Sequence, residues 1–244
     1  MLDAPGATAA GGVSIAVADA PTAPADPRAA FYIVDAVRPG GTVERRLRVR
    51  NDDVAAAHVA LYLGGATVRD GALQFDDHAA PAAPIARWAT VAPTDVTLDP
   101  GASTEVAVKI HVPEEATEGE QLGVVWAETR LAGANGESVN RVGVRIYLVV
   151  AERPPASDLE LVSITPRRDA AGGAQVDLAV RNTGGREVEP AGEVVLADRS
   201  GATTPLAPGL ALLPDGRGVL HAAFAAPVAA DPTRVEVRVR ANGV

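Results

Sequence analysis

The sequence predicts an all-β protein built from two tandem immunoglobulin-like β-sandwich domains, and three observations carry that prediction. One stretch is spelled twice. Pro39-Gly40-Gly41 leads into the alternating run Val43-Glu44-Arg45-Arg46-Leu47-Arg48-Val49-Arg50 and exits at Asn51-Asp52. Gly172-Gly173 leads likewise into Val176-Asp177-Leu178-Ala179-Val180-Arg181 and exits at Asn182-Thr183-Gly184. A turn, a strand with one apolar face and a polar exit make a sandwich hairpin unit, and two copies argue for two modules. Period-2 alternation also recurs, with Val106, Val108, Ile110 and Val112 set against Glu105, Ala107, Lys109 and His111. Finally, no segment combines helical spacing with caps; residues 114–121 have room for one helical turn.

Taken in order, residues 1–12 are an Ala/Gly-rich lead that reads as flexible. Strands are expected at 13–17, 31–34, 43–50 and 58–63. Residues 64–84 read as a long irregular insert, because Gly64-Gly65, Asp70-Gly71, Asp76-Asp77, Pro81 and Pro84 punctuate them. Strands follow at 85–91, 94–98, 105–112, 122–130 and 141–150. In the last, Val142, Val144, Ile146, Leu148 and Val150 share one face. Arg153-Pro154-Pro155-Ala156 is the best linker, since two prolines stiffen it and exclude it from a central strand. The expected domains are therefore 13–152 and 158–244, joined by 153–157. Within the second, strands are expected at 159–165, 176–181, 192–197, 218–224 and 234–240, where Val235, Val237 and Val239 alternate with Arg234, Glu236, Arg238 and Arg240.

Composition narrows the function. Of 244 residues, 22 are basic and 31 acidic, a formal charge of −9 that disfavours nucleic acid. Lys109 is the only lysine. Aromatics make up 3%, so the cores rest on Val, Leu, Ile and Ala. The absence of Cys excludes disulfides and thiolate chemistry. No apolar run of about 18 residues exists to span a membrane. The opening Met1-Leu2-Asp3-Ala4-Pro5-Gly6 has no basic and apolar leader. An exported protein is expected, with its signal peptide and any anchor lying outside this sequence.

Catalytic patterns are missing. There is no Gly-x-Ser-x-Gly elbow and no phosphate-cradling loop before a helix. His58, His78, His111 and His221 are scattered without metal-ligand spacing, so neither metal nor cofactor is expected. The one chemistry-bearing segment is 64–88, and it is the expected recognition surface. It carries Asp70, Phe75, Asp76, Asp77 and His78 and ends at Trp88, an aromatic beside an expected binding loop. Trp126 alternates with Leu122 and Val124 and reads as a core residue.

The order of elements over residues 13 to about 130 resembles the WxL-interacting proteins of Gram-positive cell surfaces. The resemblance rests on Ile15-Ala16-Val17, Phe31-Tyr32 before Arg38-Pro39-Gly40, and Leu47-Arg48-Val49-Arg50-Asn51. It continues through Ala66-Thr67, Asp70-Gly71-Ala72-Leu73-Gln74-Phe75, Trp88, the block from Val96-Thr97-Leu98-Asp99-Pro100-Gly101 to Val112-Pro113, and Gly119 and Gly123. Asp26-Pro27-Arg28 and Gly123-Val124 depart from the family's Asn-Gln and double Gly. The resemblance implies a peptidoglycan-binding first domain, a second Ig-like domain of host-binding type, and a non-enzymatic cell-surface protein that contacts peptidoglycan or a surface protein. Two rival readings stand beside it. One is a chaperone-like or pilus-type module that pairs strands with a partner. The other is an accessory β-sandwich region of a larger exported hydrolase.

Overall fold

The computed structural model describes residues 7–8, 12–21, 26–76, 83–133, 136–153, 155–168, 173–196, 202–224 and 234–241. Almost all of these are strand and turn. The only α-helix among them is the single turn α1, Ile85–Trp88, and a 3-10 turn spans Pro27–Ala30. The chain divides into two compact units. One is Met1–Thr67 with Gln74–Pro154, the other Val68–Leu73 with Pro155–Val244.

The strands up to Val150, in chain order, are β1 (Ala7–Thr8), β2 (Val13–Val17), β3 (Ile33–Val37), β4 (Thr42–Asn51), β5 (Ala57–Arg69), β6 (Ala72–Phe75), β7 (Ala89–Ala92), β8 (Asp95–Leu98), β9 (Ser103–His111), β10 (Gly119–Gly133) and β11 (Gly136–Val150), all of the first unit except the β5–β6 tip Val68–Leu73, which belongs to the second. They form two sheets, ordered β1-β2-β4-β9-β7 and β3-β11-β10-β5-β6, with β8 also paired to β5. Alternation decides what each strand buries. On β4, Val43, Leu47 and Val49 enter the core; on β9, Val106, Val108 and Ile110 do the same. Their neighbours Arg46, Arg48 and Glu105 pair on the exposed face, where such pairs contribute little. Each fully buried Leu or Ile contributes about 1.5–3 kcal/mol of transfer free energy, so the inward rows hold the sandwich together.

Three expectations for this unit are corrected. Residues 64–76 are not irregular: β5 runs on to Arg69 and turns through Asp70-Gly71 into β6. Asp70 and Gly71 have φ of 52° and 75°, the doubly left-handed backbone of a type I′ hairpin turn, which Asp-Gly favours. Residues 85–88, expected as strand, make one helical turn before β7. Residues 114–121 hold no helix; β10 begins at Gly119.

The second unit contains β12 (Leu159–Arg168), β13 (Ala174–Asn182), β14 (Ala191–Leu196), β15 (Thr203–Pro205), β16 (Arg217–Ala223) and β17 (Val235–Arg240). Its sheets are β12-β13-β16 and β15-β14-β17. Val176, Leu178 and Val180 of β13 pack with Val194 and Leu196 of β14, Leu212, and Leu220 of β16.

The twice-spelled Asn has one job in both units. Asn51 is fully buried; its amide donates to Ala55 O (2.8 Å) and Leu98 O (3.0 Å), and its Oδ1 accepts the Asp53 N–H (3.0 Å). Asn182, equally buried, donates to Arg186 O (2.6 Å) and Leu212 O (2.9 Å) and accepts from Gly184 N–H (2.9 Å). In each case the side chain ties its own exit turn to a segment distant in sequence, the end of β8 at Leu98 and the isolated bridge residue Leu212. It satisfies three backbone groups that the turn would otherwise leave unpaired.

Candidate functional site

The six residues expected to mark a site meet different fates. Asp77 and His78 lie outside the described residues. Asp70 sits exposed at the tip of the β5–β6 hairpin. Asp76 closes the base of the following loop: its Oδ2 accepts Ala83 N–H at 3.0 Å, and its own N–H donates to Gly65 O at 2.9 Å. Trp88, partly buried, packs against the core. Phe75 is half exposed and meets Trp126 edge to face, with ring centroids 5.2 Å apart. The structure therefore joins Phe75 to Trp126 and gives Asp76 and Trp88 structural contacts.

Trp126 corrects its expected core role. On β10 the core takes Val125 and Ala127, so Trp126 projects from the opposite face. Its indole crosses Gly64 of β5 and Gly143 of β11. A Cβ on Gly143 would come within 2.7 Å of Trp126 Cε3, and one on Gly64 within 2.9 Å of its Nε1. Glycine at both positions lets the ring lie close to the backbone of the neighbouring strands.

Next on the same face is Glu128, nearly inaccessible to solvent. Its carboxylate accepts from Tyr62 OH (2.7 Å), Arg130 Nε (2.8 Å) and Arg141 Nε (2.6 Å), and Arg130 Nη1 reaches Glu137 (2.9 Å). Burial alone would raise the Glu128 pKa, but the bonds from Tyr62, Arg141 and Arg130 outweigh it and hold the carboxyl below its ordinary range. The Tyr62 hydroxyl is pushed up by burial and by its bond to that carboxylate. Three strands, β5, β10 and β11, are thus cross-braced by one anion.

The brace sits at the root of an overhang. β10 and β11 pair over their whole length, from Gly119↔Val150 to Gly133↔Gly136. Beyond Glu128 and Arg141 the ribbon leaves the core, and Leu131 and Val139 are 49% and 41% exposed. β11 has a second neighbour only along its final third, where β3 pairs parallel to it from Ile146↔Ile33 to Val150↔Val37. Among the described residues no strand covers the remaining edge, 136–144. Ala151 N–H donates to Val37 O, so by strand alternation the odd-numbered residues face that side. Glu137, Val139, Arg141 and Gly143 therefore direct their backbone N–H and C=O outward, whereas Arg145 lies where β3 begins to pair. The other outer strands of these sheets are β1, β3, β6, β7 and β8, which are two to five residues long.

No signal in the apolar pattern marks this edge, because β11 reads as an ordinary buried strand. Its exposure depends on where β3 starts. A shorter cue existed: residues 137–141 are polar except Val139, which is how a strand reads after it leaves a core. Among the described residues no group of three or more His, Asp or Glu is placed to hold a metal.

No family model matches the chain, and no curated protein matches it. Solved structures do resemble it. A chain from the Salmonella enterica SafA pilin–SafB chaperone complex superposes with a TM-score of 0.54 and 12% identity, covering 94% of this chain and 90% of that one. The YadV chaperone superposes at 0.50 with 11% identity, covering 93% and 92%. At such identities the likeness is one of fold: this chain has an all-β architecture like that of these chaperones along most of its length.

Proposed function

We propose that this protein is an exported, non-enzymatic binding module whose first domain pairs the open edge of β11 with an extended strand of a protein partner. The observation that carries the reading is the uncovered edge at 136–144, braced by Glu128 yet carried past the core. Four outward residues, Glu137, Val139, Arg141 and Gly143, offer eight backbone groups. At roughly 1 kcal/mol net for each hydrogen bond made, even half of them add up to useful affinity, and main-chain pairing of this kind is a recurring mode of peptide capture. An unpaired edge of this length is normally shielded against aggregation, so its retention favours a use. The fold likeness to chaperones, one from a complex with a pilin, supports the same reading; peptidoglycan recognition gains no support from it. We assign the domains as two tandem Ig-like sandwiches, 13–152 and 158–244, joined at 153–157.

The test is photo-cross-linking in the native cell. A benzophenone side chain at Ser138 or Asn140 should capture one exported polypeptide, whereas the same group at Glu105, on the other sheet, should not. Val139→Pro removes an outward N–H and leaves the β10 ladder intact, a placement that edge prolines tolerate. It should abolish the cross-link without unfolding the chain. Equal capture at Glu105, or capture that survives Val139→Pro in a folded protein, refutes the assignment.

A further inference from the structure

We infer that the second unit carries a separate strand-accepting seam between β12 and β17, suited to an extended segment of another polypeptide with apolar residues at alternate positions and carboxylates between them. The sandwich is closed on one side only. There Ala207 N–H donates to His221 O (2.8 Å) and Thr204 Oγ1 to Ala223 O (2.7 Å), tying the β15 segment to β16. The opposite side is formed by β12 and β17, which among the described residues pair only with β13 and with β14.

Both rims leave core-facing apolar groups under-buried. Leu161 and Ile164 lie opposite Val180 and Leu178 in the β12–β13 register, so they share the core face. Val180 and Leu178 are 1% and 0% exposed, but Leu161 and Ile164 are 41% and 40% exposed. On β17, Val235, Val237 and Val239 touch the core without being buried. A further strand beside β17, at the usual spacing of about 4.8 Å, would extend the β15-β14-β17 sheet and cover both rows.

Charge selects the occupant. The solvent row of β17 is Arg234, Glu236, Arg238 and Arg240. Glu236 (3.0 Å) and Glu193 (3.2 Å) both engage Arg238. Among the described residues Arg234 and Arg240 have no ion-pair partner. A strand paired to β17 places its own outward side chains beside these two arginines, and opposite charges across a strand pair are favourable. The occupant is therefore apolar inward and acidic outward.

The experiment uses the full chain and two labelled nine-residue peptides, one alternating Val with Glu and one alternating Val with Lys. Fluorescence anisotropy should show the Glu peptide binding about tenfold more tightly at low salt, and hydrogen exchange should slow at β12 and β17. The double variant Arg234→Glu/Arg240→Glu, confined to exposed positions, should reverse the preference. Equal or absent binding of the two peptides overturns the proposal, as does protection confined to other strands. Two further results also overturn it: β17 amides fully protected in the free chain, which would mean the seam is filled by its own polypeptide, or concentration-dependent self-association that protects β17, which would mean a second copy fills it.

Discussion

Replacing either buried asparagine with alanine should cost its own unit about 3 kcal/mol. Asn51→Ala deletes three hydrogen bonds, at 2.8, 3.0 and 3.0 Å, to Ala55 O, Leu98 O and Asp53 N–H. At about 1 kcal/mol net each the loss is near 3 kcal/mol, rising toward 5 if the two carbonyls stay dry. Asn182→Ala deletes the matching set at 2.6, 2.9 and 2.9 Å, so the cost should be the same within about 1 kcal/mol. The two tryptophans, Trp88 and Trp126, both lie in the first unit, so their fluorescence reports that unit alone. With a urea slope of about 1.5–2 kcal/mol per molar for a domain of this size, Asn51→Ala should lower the fluorescence midpoint by about 1.5–2 M. Asn182→Ala should leave that midpoint in place and lower only a circular-dichroism transition from the second unit. If the loss for either variant is under 1 kcal/mol, the buried asparagines are not the ties described. If both variants shift the fluorescence equally, the units unfold as one.

Glu128→Gln should destabilise the first unit by about 2 kcal/mol at pH 7 by weakening three charge-assisted bonds. The folded pKa of Glu128 lies below its unfolded value, so the folded state binds fewer protons and the carboxylate's contribution is present at neutral pH. The gap between wild type and variant should close as the pH falls below about 4, measured by urea denaturation across pH. Arg28→Ala removes the guanidinium that pairs with the buried Asp26 carboxylate at 2.9 Å. It should cost about 3–5 kcal/mol, and Asp26→Asn in the same chain should recover part of that. Gly143→Val would drive a side chain into Trp126 and should blue- or red-shift the indole emission while lowering the melting temperature. Asp76→Ala should lower stability by about 1 kcal/mol through loss of the bond to Ala83 N–H; an unchanged melting temperature would return Asp76 to the list of free binding carboxylates.

What the sequence made legible was the part governed by local period. Val106, Val108 and Ile110, and Val142 through Val150, are buried where alternation places them. The twin Asn exits sit at equivalent strand ends. The hairpin through Asp70-Gly71 was also written in the sequence, since Asp-Gly between alternating flanks is a hairpin signal; the density of Gly and Asp around it disguised the strands as an insert. Trp126 was misassigned for a different reason. Period 2 says that Leu122, Val124 and Trp126 share a face, but not which face, and here both faces are largely covered: Leu122 and Val124 are 6% and 1% exposed on the side away from the main core. The open edges were illegible because sheet edges are set by which strands pair. Apart from the polar run at 137–141 of β11, nothing in the residues of β11 or β17 states that a neighbour is missing.

That pairing nevertheless has a local cause at β11. Asp26 caps the 3-10 turn Pro27–Ala30 by accepting Arg28 N–H at 3.0 Å, and binds the Arg28 guanidinium through its second oxygen at 2.9 Å. That guanidinium lies 4.2 Å from the centroid of Tyr147, which is itself 1% exposed, and Tyr32 packs against the same ring at 5.9 Å. The segment is therefore clamped on the outer face of the sheet beside Tyr147. From there the chain joins the edge of β11 at Ile33, opposite Ile146. Tyr147 and its clamp fix the point at which β3 meets β11, and the stretch before that point, 136–144, is left with an open side. The three residues Asp26-Pro27-Arg28 thus set the length of the edge on which the proposed function rests.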